Sequence, residues 1–161
     1  AILGFICLFL NLVLTDSNKR KIMLTTKELT YITEMAIIIG LFMLTIGTFL
    51  GGVWANESWG RYWGWDAKET WALASILVYA IIMHFRFIPG LKGQFVFNVF
   101  ALWGYGSIIM TFFGVNFYLS GLHSYATGDP IPIPTWVPIT IVLLFILTLF
   151  SGLRLKKFRS K

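Results

Sequence analysis

Two histidines, His84 and His123, and a dense run of tryptophans are the residues of this 161-residue chain whose types and spacing could do chemistry. Trp54, Trp59, Trp63, Trp65 and Trp71 fall within 18 residues, in GGVWANESWGRYWGWDAKETW, and make up five of the seven tryptophans. An interfacial aromatic belt accounts for one or two indoles near the end of a membrane helix, and it suits Trp71 and Trp136. It does not account for four indoles within twelve residues. Glycine leaves the backbone unobstructed, so indoles interleaved with Gly51, Gly52, Gly60 and Gly64 can build an apolar platform that a large planar ligand approaches closely. Arg61 and Lys68 can then hold carboxylates at the edge of such a ligand.

The acids beside this run have a structural reading. Asp66 and Glu69 stand three apart at the start of a helical pattern, the spacing of a capping box, and both favour the positive end of that helix. Their expected task is to fix where the tryptophan loop meets the membrane. His84 lies inside an apolar helix, where an ionisable group is costly and is a functional candidate by default. A neutral imidazole packed against another helix is the alternative. His123 sits in GLHSYATGDPIPIP, whose Gly and Pro content argues for an irregular loop. Alone it reads as a solvated loop residue. Near a tryptophan platform it becomes a candidate axial ligand, because imidazole binds haem iron through one nitrogen and keeps the other for an orienting hydrogen bond.

The elements that position these residues follow from composition. Apolar and aromatic residues make up 57% of the chain and charged residues 12%, against about 45–50% and about 25% in soluble domains. This is the balance of a membrane chain. Met35 to Ala55, Gly93 to Gly128 and Pro130 to Leu153 carry no charge, and the shorter run from Thr70 to Phe85 can cross with snorkelling ends. The runs are continuously apolar rather than alternating, which disfavours a β-barrel. The expected fold is all-α, a polytopic transmembrane helix bundle with spans near 31–54, 69–87, 95–118 and 135–153. Residues 1–14 are apolar but too short to span and lack a basic leader, so they read as the end of a truncated span rather than a signal peptide.

Eleven of the thirteen Lys and Arg residues flank these spans on one side, which sets that side as cytoplasmic and residues 154–161 as a basic cytoplasmic tail. The net charge of +6 therefore reflects topology, and no nucleic-acid partner is expected. Both unusual loops, 55–68 with the tryptophans and 119–134 with His123, fall on the outer face. From Lys68 to His84 is 16 residues, roughly 24 Å of helix. A single haem iron therefore cannot take both histidines. A haem reading needs two positions, one in the membrane and one outside, each with a second ligand from elsewhere. The single Cys7 excludes an internal disulfide or CxxC site, and it reads as a small buried apolar residue.

WANESWGRYWGWDAKETWAL, the intramembrane His84-Phe85-Arg86 and VNFYLSGLHSYA together resemble the tryptophan-rich (WWD) haem-handling proteins of cytochrome c biogenesis. KETW and GLHSYA are most similar to the CcsA/ResC branch, and the resemblance covers roughly residues 30–126. It implies haem b as ligand and substrate, held on the outer face by the tryptophan-rich loop, with His123 as an outer axial ligand and His84 as the membrane histidine of haem passage. It also implies a CcsB/ResB-type membrane partner or fused domain and an apocytochrome c with CxxCH as client. The membrane would be the bacterial inner membrane or the thylakoid, with the loop facing periplasm or lumen. The family's outer histidine preceding the loop has no counterpart in residues 1–53, which contain no His. The chain is therefore expected to be the C-terminal portion of a longer protein, a subunit of a cytochrome c synthase. Orientation of haem by Trp54, Trp59, Trp63 and Trp65 would supply much of the rate of thioether formation, and no residue is assigned as general acid or base. Three other readings are a haem exporter or chaperone that loads a carrier, a structural membrane subunit without haem, and a transporter for another substrate, the last disfavoured because the sequence shows no broken helix pair or intramembrane acid.

Overall fold

The computed structural model describes residues 1–119 and 132–159, and every regular element among them is helical. Helix α1 spans Ile2–Leu12, α2 Lys19–Trp59 and α3 Ala67–His84, the last continued by a 3₁₀ turn at Phe85–Phe87. A broken span follows: α4 at Gln94–Trp103, α5 at Tyr105–Ile109, a π-helical turn at Met110–Gly114 and α6 at Val115–Tyr118. Helix α7 runs Trp136–Arg159. Four stretches are long and apolar enough to cross a bilayer, namely Lys19–Trp59, Ala67–Phe87, Gln94–Tyr118 and Trp136–Phe158. They make the chain a polytopic membrane bundle.

Helix α2 is longer than the uncharged run within it. Its 41 residues extend about 60 Å, twice the roughly 30 Å of a hydrocarbon core. Charge marks where a helix leaves the bilayer, not where it ends. Asn18 starts α2: its Oδ1 accepts from the Thr15 N–H at 2.7 Å and its Nδ2 donates to the Val13 carbonyl at 2.9 Å. No proline interrupts the helix. Gly60 ends it, with φ 69° and its N–H on the Asn56 carbonyl at 2.8 Å, the left-handed stop that glycine adopts without a Cβ penalty. Trp54 and Trp59 are consequently helical. The segment between α2 and α3 is shorter than the expected loop at 55–68. Residues 154–159 continue α7.

The chain divides into two compact units. One comprises Ala1–Met35, Phe85–Trp103 and Pro132–Lys161. Gly4 lets α1 lie against α4, since a Cβ there would stand 2.8 Å from the Asn98 carbonyl. Asn98 donates to Thr30 Oγ1 at 2.7 Å, and Glu34 pairs with Arg86. Arg154 donates to the Leu14 carbonyl just past α1 at 3.1 Å, and Lys19 to the Phe158 carbonyl of α7 at 2.9 Å. Each cation thus meets a carbonyl at the negative end of a helix. Small polar contacts between membrane helices contribute about 0.6 kcal/mol each, so several are needed to set a geometry.

The other unit contains Ala36–His84 and the described part of Gly104–Ile131. Here the Thr111 hydroxyl, inside the π-turn, lies 3.0 Å from Ser75 Oγ, 3.0 Å from the Trp71 carbonyl and 2.8 Å from the Ser107 carbonyl. Ser75 is fully buried. The wide turn is thereby pinned to α3. All the tryptophans of the loop lie in this unit.

Candidate functional site

Three backbone features bring the tryptophan segment against its own helices. Gly60 turns the chain back after α2. Gly52 then lets the returning strand of loop come close, since a Cβ at Gly52 would stand 3.1 Å from the Tyr62 carbonyl. Finally, Glu69 Oε2 accepts from the Gly64 N–H at 2.7 Å and from the Asp66 N–H at 3.2 Å, while Asp66 Oδ2 accepts from the Lys68 N–H at 3.3 Å. This reciprocal pattern is that of a capping box. It satisfies orphan amides at the start of α3 and ties the middle of the loop to the helix. Trp65 sits just before the box with φ 56°, a left-handed conformation that an indole-bearing residue rarely adopts.

The result is a cleft of about 490 Å³, within the 300–1,000 Å³ range of sites for sizeable organic ligands. Helix α2 forms one wall with Met43, Leu44, Gly47, Thr48, Gly51, Gly52 and Trp54. Tyr62 and Trp63 come from the loop, Lys68, Glu69 and Ala72 from the start of α3, and Thr111 from the π-turn. A Cβ at Gly47 or Gly51 would meet nothing within 4 Å. These two glycines are not there to admit a neighbouring helix; they leave the cleft open. From Met43 to Trp54 the wall rises about 16 Å along α2, so the cleft descends from the tryptophan loop into the apolar span.

The expected site residues separate into those that line this cleft and those that do not. Trp54, Trp63 and Lys68 line it. Trp59 stacks edge to face on Trp54, centroids 5.0 Å apart at 82°, and Trp65 does the same to Trp63 at 5.8 Å and 88°. The four indoles therefore form two perpendicular pairs, each with one ring on the cleft and one supporting it. Such pairs contribute about 0.5–1.5 kcal/mol beyond area burial. Trp65 is 72% exposed. Arg61 does not line the cleft: its guanidinium lies over Gly64, in the space a side chain there would occupy. Lys68 is half-buried, and its Nζ donates to Asn116 Oδ1 at 3.4 Å.

His84 ends α3, opposite in the helix to Lys68, and does not touch the cleft. Its Nδ1 lies 2.7 Å from the Ala80 carbonyl. A carbonyl only accepts, so Nδ1 is the donor in this contact. His123 lies outside the described residues. Among the described residues, no group of three or more His, Cys, Asp and Glu gathers as a metal-ion site, and Cys7 is buried in the first unit.

Gly47, Tyr62, Ala72 and Thr111 join the site without having been singled out by sequence. The spacing Gly47-x₃-Gly51 puts two glycines on one helical face, seven and three residues before Trp54, which is the signal for the α2 wall. Thr111 and Asn116 are polar residues in an otherwise apolar run, but nothing in that run marks the π-turn that carries Thr111.

Residues 1–123 match the sequence model of the cytochrome C assembly protein family. The chain belongs to this family. It is 54% identical over 132 residues to "Protein NrfI" of Wolinella succinogenes, an alignment covering 82% of this chain and 14% of that protein. It is 43% identical over 100 residues to "Cytochrome c biogenesis protein CcsA" of Prochlorococcus marinus (62% of this chain, 32% of the relative). With the CcsA of Pinus thunbergii it shares 41% identity over 116 residues (72% and 36%). The chain thus spans about a third of the length of these CcsA relatives and a smaller share of NrfI. The tryptophan loop, the cleft and both histidines lie inside the family match.

Proposed function

We propose that this chain binds haem b in the tryptophan-walled cleft and presents it, on the outer face of the membrane, for covalent attachment to the CxxCH thiols of an apocytochrome c. It does so as part of a cytochrome c synthase with a CcsB/ResB-type membrane partner, in a bacterial inner membrane or a thylakoid. The observation that carries the reading is the cleft itself. The indole of Trp63 faces a helix wall that carries Trp54 and is kept open by Gly47 and Gly51, and the cleft opens into the apolar span from which an amphiphilic macrocycle would come. The relatives' printed names, which concern cytochrome c biogenesis, support the same reading.

In this reading His123 supplies an iron ligand from the outer loop, and His84 serves haem earlier, on the opposite side of the membrane. The chain's own residues orient the macrocycle and exclude water from its faces. Thioether formation adds each thiol across a vinyl group, so orientation of the vinyl edge is the main service the site provides. The test is to express the full gene with its partner and a CxxCH client, and to record absorption spectra of the purified complex and covalent haem on the client. A haem band lost in His123→Ala and Trp63→Ala, with covalent haem on the client of the parent, supports the reading. A retained band in both variants overturns it. Haem held by the protein with no covalent product on the client would favour the exporter or chaperone reading.

A further inference from the structure

Two basic runs far apart in sequence, Lys19-Arg20-Lys21 and Arg154 to Lys157, meet at one end of the first compact unit. Ile22 of α2 and Phe158 of α7 pack with Leu14, Lys19 Nζ donates to the Phe158 carbonyl at 2.9 Å, and Arg154 donates to the Leu14 carbonyl at 3.1 Å. The first turn of α2 therefore lies beside the last turns of α7. Like charges brought together repel, so such a cluster calls for a counter-charge. Asp16, in the turn between α1 and α2, is the one acid in residues 13–24 and 149–159. Arg20, Lys21 and Lys156 are exposed, and no side chain among the described residues engages them. On α2, Met23 and Leu24 follow one turn after these cations and are 47% and 53% exposed; on α7, Leu153 and Leu149 precede Lys156 by one and two turns and are 66% and 51% exposed. Side chains three and four apart share a helix face, so the cations of both helices are continued by exposed hydrocarbon. The uncharged run of α7 ends at Leu153, which puts the cluster at the edge of an apolar span, where headgroups lie.

We propose that the Lys19 end of α2 and the Arg159 end of α7 together bind an anionic phospholipid: Arg20, Lys21 and Lys156 take its phosphate, and its acyl chains follow Met23, Leu24, Leu149 and Leu153. An acidic protein or a nucleic acid would satisfy the cations and leave that hydrocarbon in water; a lipid with an anionic head satisfies both. The bound phosphate offsets the repulsion between the two basic runs, and so secures α2 to α7 where their own charges oppose the contact. The inference is independent of the haem reading and concerns the compact unit that does not hold the cleft.

The test titrates phosphatidylglycerol or phosphatidylcholine into protein expressed from the full gene and purified in neutral detergent, and counts bound lipid by native mass spectrometry. The parent is compared with K21Q/K156Q, K21E/K156E and a control, K27Q/K92Q, which removes two exposed cations outside the cluster. One basic residue beside an anionic lipid contributes about fivefold. The parent is therefore expected to prefer phosphatidylglycerol by about tenfold or more, K21Q/K156Q to lose most of that preference, K21E/K156E to lose all of it, and the control to stay within about threefold of the parent. An unfolding temperature of K21Q/K156Q at or above the parent's in lipid-free detergent reports an intact fold, and added phosphatidylglycerol should raise that of the parent more. The inference is overturned if the parent shows no preference, if K27Q/K92Q loses as much as K21Q/K156Q, or if K21E/K156E keeps the preference. Displacement of the lipid by inorganic phosphate or by polyglutamate overturns it as well, because the surface would then recognise charge without hydrocarbon.

Discussion

Glu69 fastens Gly64 to the start of α3, its Oε2 accepting the glycine N–H at 2.7 Å. That one contact fixes the stretch of loop between Trp63 and Trp65, so the orientation of both indoles depends on a carboxylate that neither of them touches in sequence. Glu69→Ala removes acceptors from two backbone amides at once. The expected cost is about 1–2 kcal/mol, the scale of a lost helix cap, seen as a lower Tm of the purified protein. Glu69→Gln retains a carbonyl oxygen of the same shape and should lose less than half as much. Equal Tm values for Glu69→Ala and the parent would show that the loop is held by something else.

Two adjacent glycines, Gly51 and Gly52, separate ligand binding from folding. At Gly51 a larger side chain enters empty space, while at Gly52 it would press on the Tyr62 carbonyl 3.1 Å from the Cβ. Gly51→Leu is therefore expected to leave the Tm unchanged or slightly higher, since helix propensity rises, and to reduce haem occupancy by about tenfold or more, equivalent to a loss near 1.4 kcal/mol. Gly52→Leu should lower both Tm and occupancy. Occupancy measured by absorption against protein concentration distinguishes the two, and undiminished haem in Gly51→Leu would show that the ligand does not use this wall.

Within each perpendicular indole pair the partners should not be equivalent. Trp63 lines the cleft whereas Trp65 is mostly exposed and strained at φ 56°. Trp63→Ala removes a ligand-facing ring and should lower haem affinity by more than about tenfold, because base or macrocycle stacking on an aromatic ring contributes about 1–3 kcal/mol. Trp65→Ala removes the supporting ring and should cost affinity only a few-fold, about 0.5–1.5 kcal/mol. A larger loss at Trp65 than at Trp63, read by haem titration, would reverse the assignment of which ring faces the ligand.

What the sequence made legible was the part governed by charge and apolarity. Uncharged runs locate the four spans, and the density of Trp and Gly marks the segment that lines the cleft. Helix ends were less legible, because the bilayer boundary near Met35 is not a helix boundary: α2 continues back to Lys19, just after the turn that Asn18 ties to Val13 and Thr15, and forward to Gly60, where a left-handed residue is possible. The α2 wall of the cleft depends on the loop folding back at Gly52 and Tyr62, a tertiary contact that no local pattern encodes. The π-turn at Met110–Gly114 was equally hidden, since its five residues MTFFG read as ordinary apolar helix and the widening is fixed by Ser75 and Trp71 from another helix. Arg61 illustrates the converse: its charge invited a ligand role, yet the absent side chain of Gly64 gives the guanidinium a place within the loop.

The pair Glu34–Arg86 in the first unit should respond asymmetrically to removal of its two ends. The Glu34 side chain is 13% exposed and Arg86 54% exposed, so the acid depends on its partner far more than the base does. Arg86→Met leaves a carboxylate in an apolar surrounding with its counter-charge gone, at an expected cost of about 3 kcal/mol. Glu34→Gln leaves a guanidinium that can extend toward headgroups and water, and should cost about 1 kcal/mol or less. The double variant Glu34→Gln with Arg86→Met should recover most of the loss of Arg86→Met, because no buried charge is left without a counter-charge. Thermal unfolding of the three variants in detergent at one pH measures this directly. If Arg86→Met proved no worse than Glu34→Gln, the carboxylate would have to be solvated from elsewhere in the membrane interface, and the ion pair would contribute no more than an exposed one.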